Sequence, residues 1–380
     1  MIYFDNASTT RIDDTILNAL TNVMKNNWGN PSSKHDTGVK AKYLLDKSRK
    51  DILSLLQIPD WRLIATSGAT ESNNLALIGT ALAHKKGHII TTKTEHKSIL
   101  ETVDILASFG FSTTMLDVDS NGQIDINELC SAIREDTFII SFSFVNNETG
   151  IIQNRWREIV NIAHEKKIAV HTDAVQTIGH VDIDWKLFDL ITITAHKIGG
   201  PKGIGCLIVN PYITLSPIIF GGGQEFSLRG GTENVAGLYA FSLALKRILS
   251  DMKLDEIQEM KNFLFEKIKK IVPNAIINGE GFSIPHIMSI TIPGIDSETL
   301  ICNLNLNGIC VSGGSACINN KNDFSHVIHS MTGSEEKARE TFRISLSKEN
   351  TLEECEEFSV IFERVISNLK QFTGAHEQIK

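Results

Sequence analysis

The chain has 380 residues, past the size at which one hydrophobic core usually stops growing, so two domains are expected. Hydrophobic residues make up 42% and charged residues 22%, the balance of a globular protein. A net charge of -8 excludes a general basic surface for nucleic acid, and no apolar run approaches the roughly eighteen residues of a membrane span.

The N-terminus, Met1-Ile-Tyr-Phe-Asp-Asn-Ala-Ser-Thr9, has no basic segment followed by an apolar run, so no secretory signal is expected. Six cysteines, at 130, 206, 302, 310, 317 and 355, include no Cys-x-x-Cys pair and are too sparse for a disulfide scaffold. They fit a cytoplasmic protein with reduced thiols. Cys130 and Cys302 fall inside apolar helical patterns and are expected in the core.

From about residue 62 to 210, apolar runs rich in Ile, Val and Thr alternate with stretches of helical spacing. The runs are 62–66, 88–92, 138–142, 168–172, 190–194 and 206–209; the helical stretches include 71–83, 97–109 and 155–166. This pattern predicts an α/β fold, a mainly parallel sheet with helices on both faces. A glycine-rich segment, 221–231, interrupts the rhythm, and one long helical pattern then runs from about 234 to 271, with Pro273 just beyond. Strand-like runs at 287–292 and 342–345, with helical stretches at 298–306 and 352–369, read as a smaller α+β domain. The expected division is a large domain, 13–255, and a small one built from 1–12 and 256–380.

No Gly-Lys dipeptide occurs, which excludes a Walker-type phosphate loop, and no G-x-G-x-x-G follows a strand. Asp117-Val-Asp119-Ser-Asn121-Gly122, ending at Glu128, matches the calcium-loop pattern, yet a strand and not a helix precedes it. A strand, an Asn-Gly turn and a helix opening near Asp125 are expected there, and no metal.

Three segments carry chemistry. Ser67-Gly68-Ala69-Thr70-Glu71-Ser72 follows a strand and opens a helix, where backbone N–H groups and a hydroxyl make a phosphate seat; alone, it equally fits a capped helix. His171-Thr-Asp173-Ala-Val-Gln176 puts a carboxylate at a strand end, where open α/β sheets bind ligands, although a solvated loop Asp would look the same. Thr194-Ala-His196-Lys197 ends the next strand in a glycine-rich turn that can keep an amine unsolvated and nucleophilic. A phosphate seat, a carboxylate and a strand-end lysine are together what pyridoxal phosphate needs: a grip on its phosphate, a partner for its ring nitrogen and a covalent anchor. Ser312-Gly313-Gly314-Ser315-Ala316-Cys317 ends a run of small residues in an accessible thiol, as a thiolate nucleophile requires.

These segments, with Gly29-Asn30-Pro31-Ser32-Ser33, Glu95-His96-Lys97, Asn146-Asn147-Glu148 and Gly221–Glu225 followed by Arg229 and Thr232, resemble the cysteine desulfurases. That family belongs to the class V aminotransferase group of fold type I pyridoxal-phosphate enzymes. Order and spacing hold from Asp5 to about Leu369. The stretch after Cys317, ending in Phe324-Ser-His-Val, is similar to the members with the longer catalytic loop, the iron–sulfur-cluster and nitrogen-fixation type.

The resemblance implies a role for each matching position. Lys197 would carry the cofactor, Asp173 would pair with its ring nitrogen and His96 would stack on the ring. Gln176 and Asn147 would hold the phenolic-oxygen side; Ala69, Thr70, Thr194 and His196 would grip the phosphate. Thr232 would reach the phosphate of a neighbouring subunit, implying a homodimer. Asn30 and Arg343 would hold the substrate carboxylate, and Cys317 on the small domain would take the sulfur of L-cysteine, leaving alanine, before passing it to an acceptor protein. Gly230 and Gly313 depart from the serines frequent in the family. The chain also ends at Lys380 soon after the last helical pattern, where housekeeping members have a longer tail that docks a cluster scaffold, so such docking is left open. An aminotransferase, a selenocysteine lyase or a non-catalytic scaffold on the same fold are the rival readings. A transaminase has no use for Cys317.

Overall fold

The computed structural model describes the backbone of residues 1–251, 253–314 and 324–377, with side chains through 371. Its centre is a seven-stranded sheet in the order Arg62–Thr66, Gly205–Val209, Leu190–Thr194, Ala169–Asp173, Thr137–Ser143, His88–Thr92, Ser112–Leu116. Gly205–Val209 runs antiparallel to both neighbours; every other pairing is parallel. The fold class expected from the alternating runs is the one observed.

Successive strand residues point to opposite faces, and each face has its own core. Ile64, Ile139, Leu190 and Leu207 pack with Leu75, Val103 and Leu106 of helices Ala69–His84 and Lys97–Ser108. Their neighbours Leu63, Ile140, Ile191 and Ile208 pack with Leu45, Ile159 and Phe241 of helices Asp36–Leu55, Trp156–Glu165 and Val235–Ser250. Burial on both faces is why these strands read as continuous apolar runs.

A separate core joins Ile2 and Phe4 to helix Leu254–Ile271, helix Ser297–Leu306, Phe358 and Phe362, around a four-stranded antiparallel sheet. That sheet is ordered Ser312–Gly313, Thr341–Ser345, Ile287–Thr291, Ile276–Asn278. Among the described residues no helix is long and apolar enough to cross a membrane.

The single helix expected over 234–271 is instead two, Val235–Ser250 and Leu254–Ile271, separated where Lys253 takes a left-handed φ of 45°. The first packs Leu238, Phe241 and Leu245 on the large sheet; the second packs Ile257, Leu264 and Ile268 into the other core. The apolar period continues across the break, but the cores it serves do not. Cys130 and Cys302, expected inside, are exposed. Cys302 lies two residues from the buried Leu300 and Leu304, on the opposite side of its helix. Cys130 follows the buried Leu129 and is turned outward in the same way.

At Asp117 the strand Ser112–Leu116 comes first, a turn follows with Gly122 at φ 71°, and Asp125 caps helix Ile126–Ala132. Lys93 Nζ sits 2.6 Å from Asp117 Oδ1. Among the described residues no group of three or more His, Cys, Asp or Glu is arranged to hold a metal.

Candidate active site

Two adjacent parallel strands end side by side. Ala169–Asp173 delivers Asp173, and Leu190–Thr194 runs into a 3-10 turn, Ala195–Lys197, that delivers Lys197. Asp173 is buried; its Oδ1 accepts the Val175 N–H at 3.1 Å, and its Oδ2 accepts the Asn73 side-chain amide at 2.8 Å. The Asn73 nitrogen also donates to Ser98 Oγ at 2.9 Å. Ser98 Oγ in turn lies 2.8 Å from His96 Nδ1, which accepts the Ser98 N–H at 3.1 Å. A ring nitrogen that accepts is bare, so neutral His96 carries its proton on Nε2. Burial holds the His96 pKa below the ordinary imidazole value; Asp173 opposes this and Lys197 adds to it.

The N-terminal segment crosses beneath these strand ends. Lys197 Nζ donates to the carbonyls of Ala7 and Ser8 at 2.5 and 2.7 Å, and Gln176 Nε2 donates to the same Ala7 carbonyl at 2.9 Å. His196 Nδ1 lies 3.2 Å from Thr9 Oγ1. Burial, with the charges of Lys197 and Lys202, brings the His196 pKa down to about 4, so its ring is neutral.

Opposite stands the start of helix Ala69–His84. Its capping residue, Gly68, supplies no side chain to the first N–H groups, and a Cβ there would meet nothing within 4 Å. From below, a Cβ on Gly205 would come within 2.7 Å of Gly68, so the turn rests directly on the neighbouring strand. Glu71 braces the turn: it accepts the Ser67 N–H at 2.8 Å and pairs with Arg229 Nε at 2.8 Å. Ala69 and Thr70 form the first turn, and Thr194 Oγ1 donates to the Ile204 carbonyl at 3.1 Å.

Strand Thr341–Ser345 brings in Arg343, which is 2% exposed. Nη1 donates to the Asn147 carbonyl at 2.6 Å, and Nη2 to Asp5 Oδ1 at 3.0 Å and Ser8 Oγ at 2.7 Å. Buried Nε has no partner among the described residues. Asn30 and Thr232 stay exposed and take no part in these contacts. Cys317 lies in 315–323, outside the described residues. Of the other thiols, Cys206 and Cys355 are buried, and burial raises both pKa values, that of Cys355 to about 12.

The Aminotransferase class-V family matches residues 2–358. "Cysteine desulfurase IscS" of Dictyoglomus turgidum is 34% identical over 386 residues, covering 100% of this chain and 98% of its own. The protein of the same name from Methanosarcina thermophila is 36% identical, covering 98% and 93%. Among solved structures, a NifS-like protein superposes with a TM-score of 0.89 at 34% identity over 96% of this chain and 99% of its own. SspA in complex with cysteine gives 0.82 at 34% identity, over 92% and 100%.

The chain belongs to the cysteine desulfurases. These are class V, pyridoxal phosphate-dependent enzymes. The residues present fit that cofactor: a helix N-terminus with no side-chain cap for a phosphate, a buried carboxylate for a ring nitrogen, and an amine at the end of the adjacent strand. Asn73 and Ser98 link Asp173 to His96, and Asp5 and Ser8 hold Arg343; the sequence reading gives none of the four a role. Asn73 had one signal, a polar residue one helical turn after Ala69 in a pattern that then turns apolar.

Proposed function

We propose that this cysteine desulfurase converts L-cysteine to L-alanine and moves the sulfur first to Cys317 and then to an acceptor protein. The observation that carries this reading is that adjacent strands deliver the Asp173 carboxylate and the Lys197 amine at their ends, both acting electrostatically on His96. A relative solved with cysteine bound supports the substrate.

In this reading Lys197 anchors the cofactor, His96 stacks on its ring and Asp173 holds its ring nitrogen protonated. Ala69, Thr70, Thr194 and His196 take the phosphate, Gln176 and Asn147 the phenolic-oxygen side, and Thr232 the phosphate of a partner subunit in a homodimer. Bound pyridoxal phosphate supplies an electron sink for the substrate carbanion. Arg343, whose Nε has no partner among the described residues, binds the substrate carboxylate, assisted by Asn30. Asp5, Ser8 and the Asn147 carbonyl keep the guanidinium fixed while it does so.

Lys197 Nζ removes the substrate α-proton, and His96 hands over a proton from Nε2. The thiolate of Cys317 then attacks the substrate sulfur. The Cβ–S bond breaks, an S–S bond forms on Cys317, and Cβ takes a proton. Sulfur is oxidised as carbon is reduced, so no outside oxidant is needed. Residues 13–255 form the cofactor domain, and 1–12 with 256–380 the domain carrying Cys317. The setting is cytoplasmic. Equal release of alanine and sulfur from L-cysteine tests the reading. Amino transfer to a keto acid, with no sulfur released, would favour an aminotransferase instead.

A further inference from the structure

Glu148 is 2% exposed and has two partners from the far end of the chain. Its Oε2 accepts the Ser325 hydroxyl at 2.5 Å, and its Oε1 lies 3.7 Å from His326 Nδ1. The other ring nitrogen, Nε2, meets the Glu95 carbonyl at 2.9 Å. A carbonyl only accepts, so Nε2–H is the donor. Burial pushes the Glu148 pKa up, and His326 draws it down.

The Glu95 carbonyl belongs to the peptide that leads directly into His96. On its other side the Glu95 carboxyl is pinned by Ser143 N–H at 2.8 Å, Ser143 Oγ at 2.5 Å and Thr92 Oγ1 at 2.7 Å. His96 is the capping residue of helix Lys97–Ser108, so a rotation of this peptide swings its ring. His326 reaches that carbonyl from the start of helix His326–Thr332, which Ser325 caps through the Ile328 N–H at 3.0 Å.

We infer that His326, held by Glu148, is a positioning residue for the desulfurase reaction: it fixes the Glu95–His96 peptide and thereby the imidazole over the cofactor ring. The inference rests on the reading of His96 given above. It also ties the cofactor side of the site to the chain segment that follows Cys317.

The test uses two substitutions of similar polarity. The amide nitrogen of Gln can occupy the place of Nε2, whereas that of Asn corresponds to Nδ1 and falls short of the Glu95 carbonyl. In the holoenzyme, His326→Asn lowers kcat about tenfold with KM for L-cysteine within about twofold, and changes the visible circular dichroism of the bound cofactor. His326→Gln keeps the dichroism and retains kcat within about threefold. Equal loss in both variants, or loss in neither, overturns the inference. His96→Ala is the control. If it changes kcat and dichroism while His326→Asn does not, only the positioning role fails; if it changes neither, the reading of His96 fails and the inference with it.

Discussion

The side-chain amide of Asn73 stands 2.8 Å from Oδ2 of Asp173. The same nitrogen reaches Ser98 Oγ, which contacts His96 Nδ1. One amide and one hydroxyl therefore fix the carboxylate and the imidazole relative to each other. Asn73 Oδ1 is buried without a partner among the described residues, so its two donated bonds alone set the orientation.

Asn73→Leu removes both bonds in similar volume. A hydrogen bond to a charged group contributes about 1.5–3 kcal/mol, so kcat/KM for L-cysteine falls about ten- to a hundredfold. Cofactor affinity, read by equilibrium dialysis, falls with it. A change below about twofold in both would contradict the relay.

Lys197→Ala abolishes the visible absorbance of covalently held cofactor and all turnover, because Lys197 is the amine in the turn that ends the strand next to Ala169–Asp173. Borohydride reduction followed by mass spectrometry checks it. Reducible cofactor found on another lysine would refute the assignment.

Glu95 makes the site sensitive to pH through stability. Burial, with the charge of Asp173, pushes its pKa from 4.5 up to about 7, against the hydrogen bonds from Ser143 and Thr92. Between those values the folded protein binds more protons than the unfolded chain, so stability falls as pH rises through the window. Glu95→Gln loses that dependence. Its melting temperature relative to wild type is higher at about pH 8 than at about pH 5, by an equivalent of up to about 3 kcal/mol. A difference that is the same at both pH values would show that Glu95 is not held protonated.

The large sheet was legible because parallel strands buried on both faces leave continuous apolar runs, as at Leu190–Thr194. The strand-end positions of Asp173 and Lys197 were legible because each follows a continuous apolar run. The break at Lys253 was not, since the same apolar period serves two cores on either side of it. Nor were the contacts of Asn73, Glu148 and His326, whose partners lie far away in sequence and leave no local pattern. The exposure of Cys130 and Cys302 shows that an apolar helical window does not fix which face each member takes.

Calcium is not expected to bind at Asp117–Glu128, where a strand precedes the turn and Lys93 pairs with Asp117. Calorimetry yields no heat of binding; a dissociation constant within about 10⁻⁷ to 10⁻⁵ M would contradict this.

The central claim is that Cys317 receives the sulfur, and mass spectrometry of the enzyme after exposure to L-cysteine tests it most directly. Ser in place of Cys317 offers a much weaker nucleophile at neutral pH, while Lys197 and the cofactor still bind cysteine and loosen its α-proton. The account predicts one added sulfur on the peptide containing Cys317 in the wild type and none on that containing the half-buried Cys310. Cys317→Ser keeps the cofactor spectrum, carries no added sulfur and releases no alanine. Added sulfur on Cys310, or undiminished alanine from the serine variant, would contradict it.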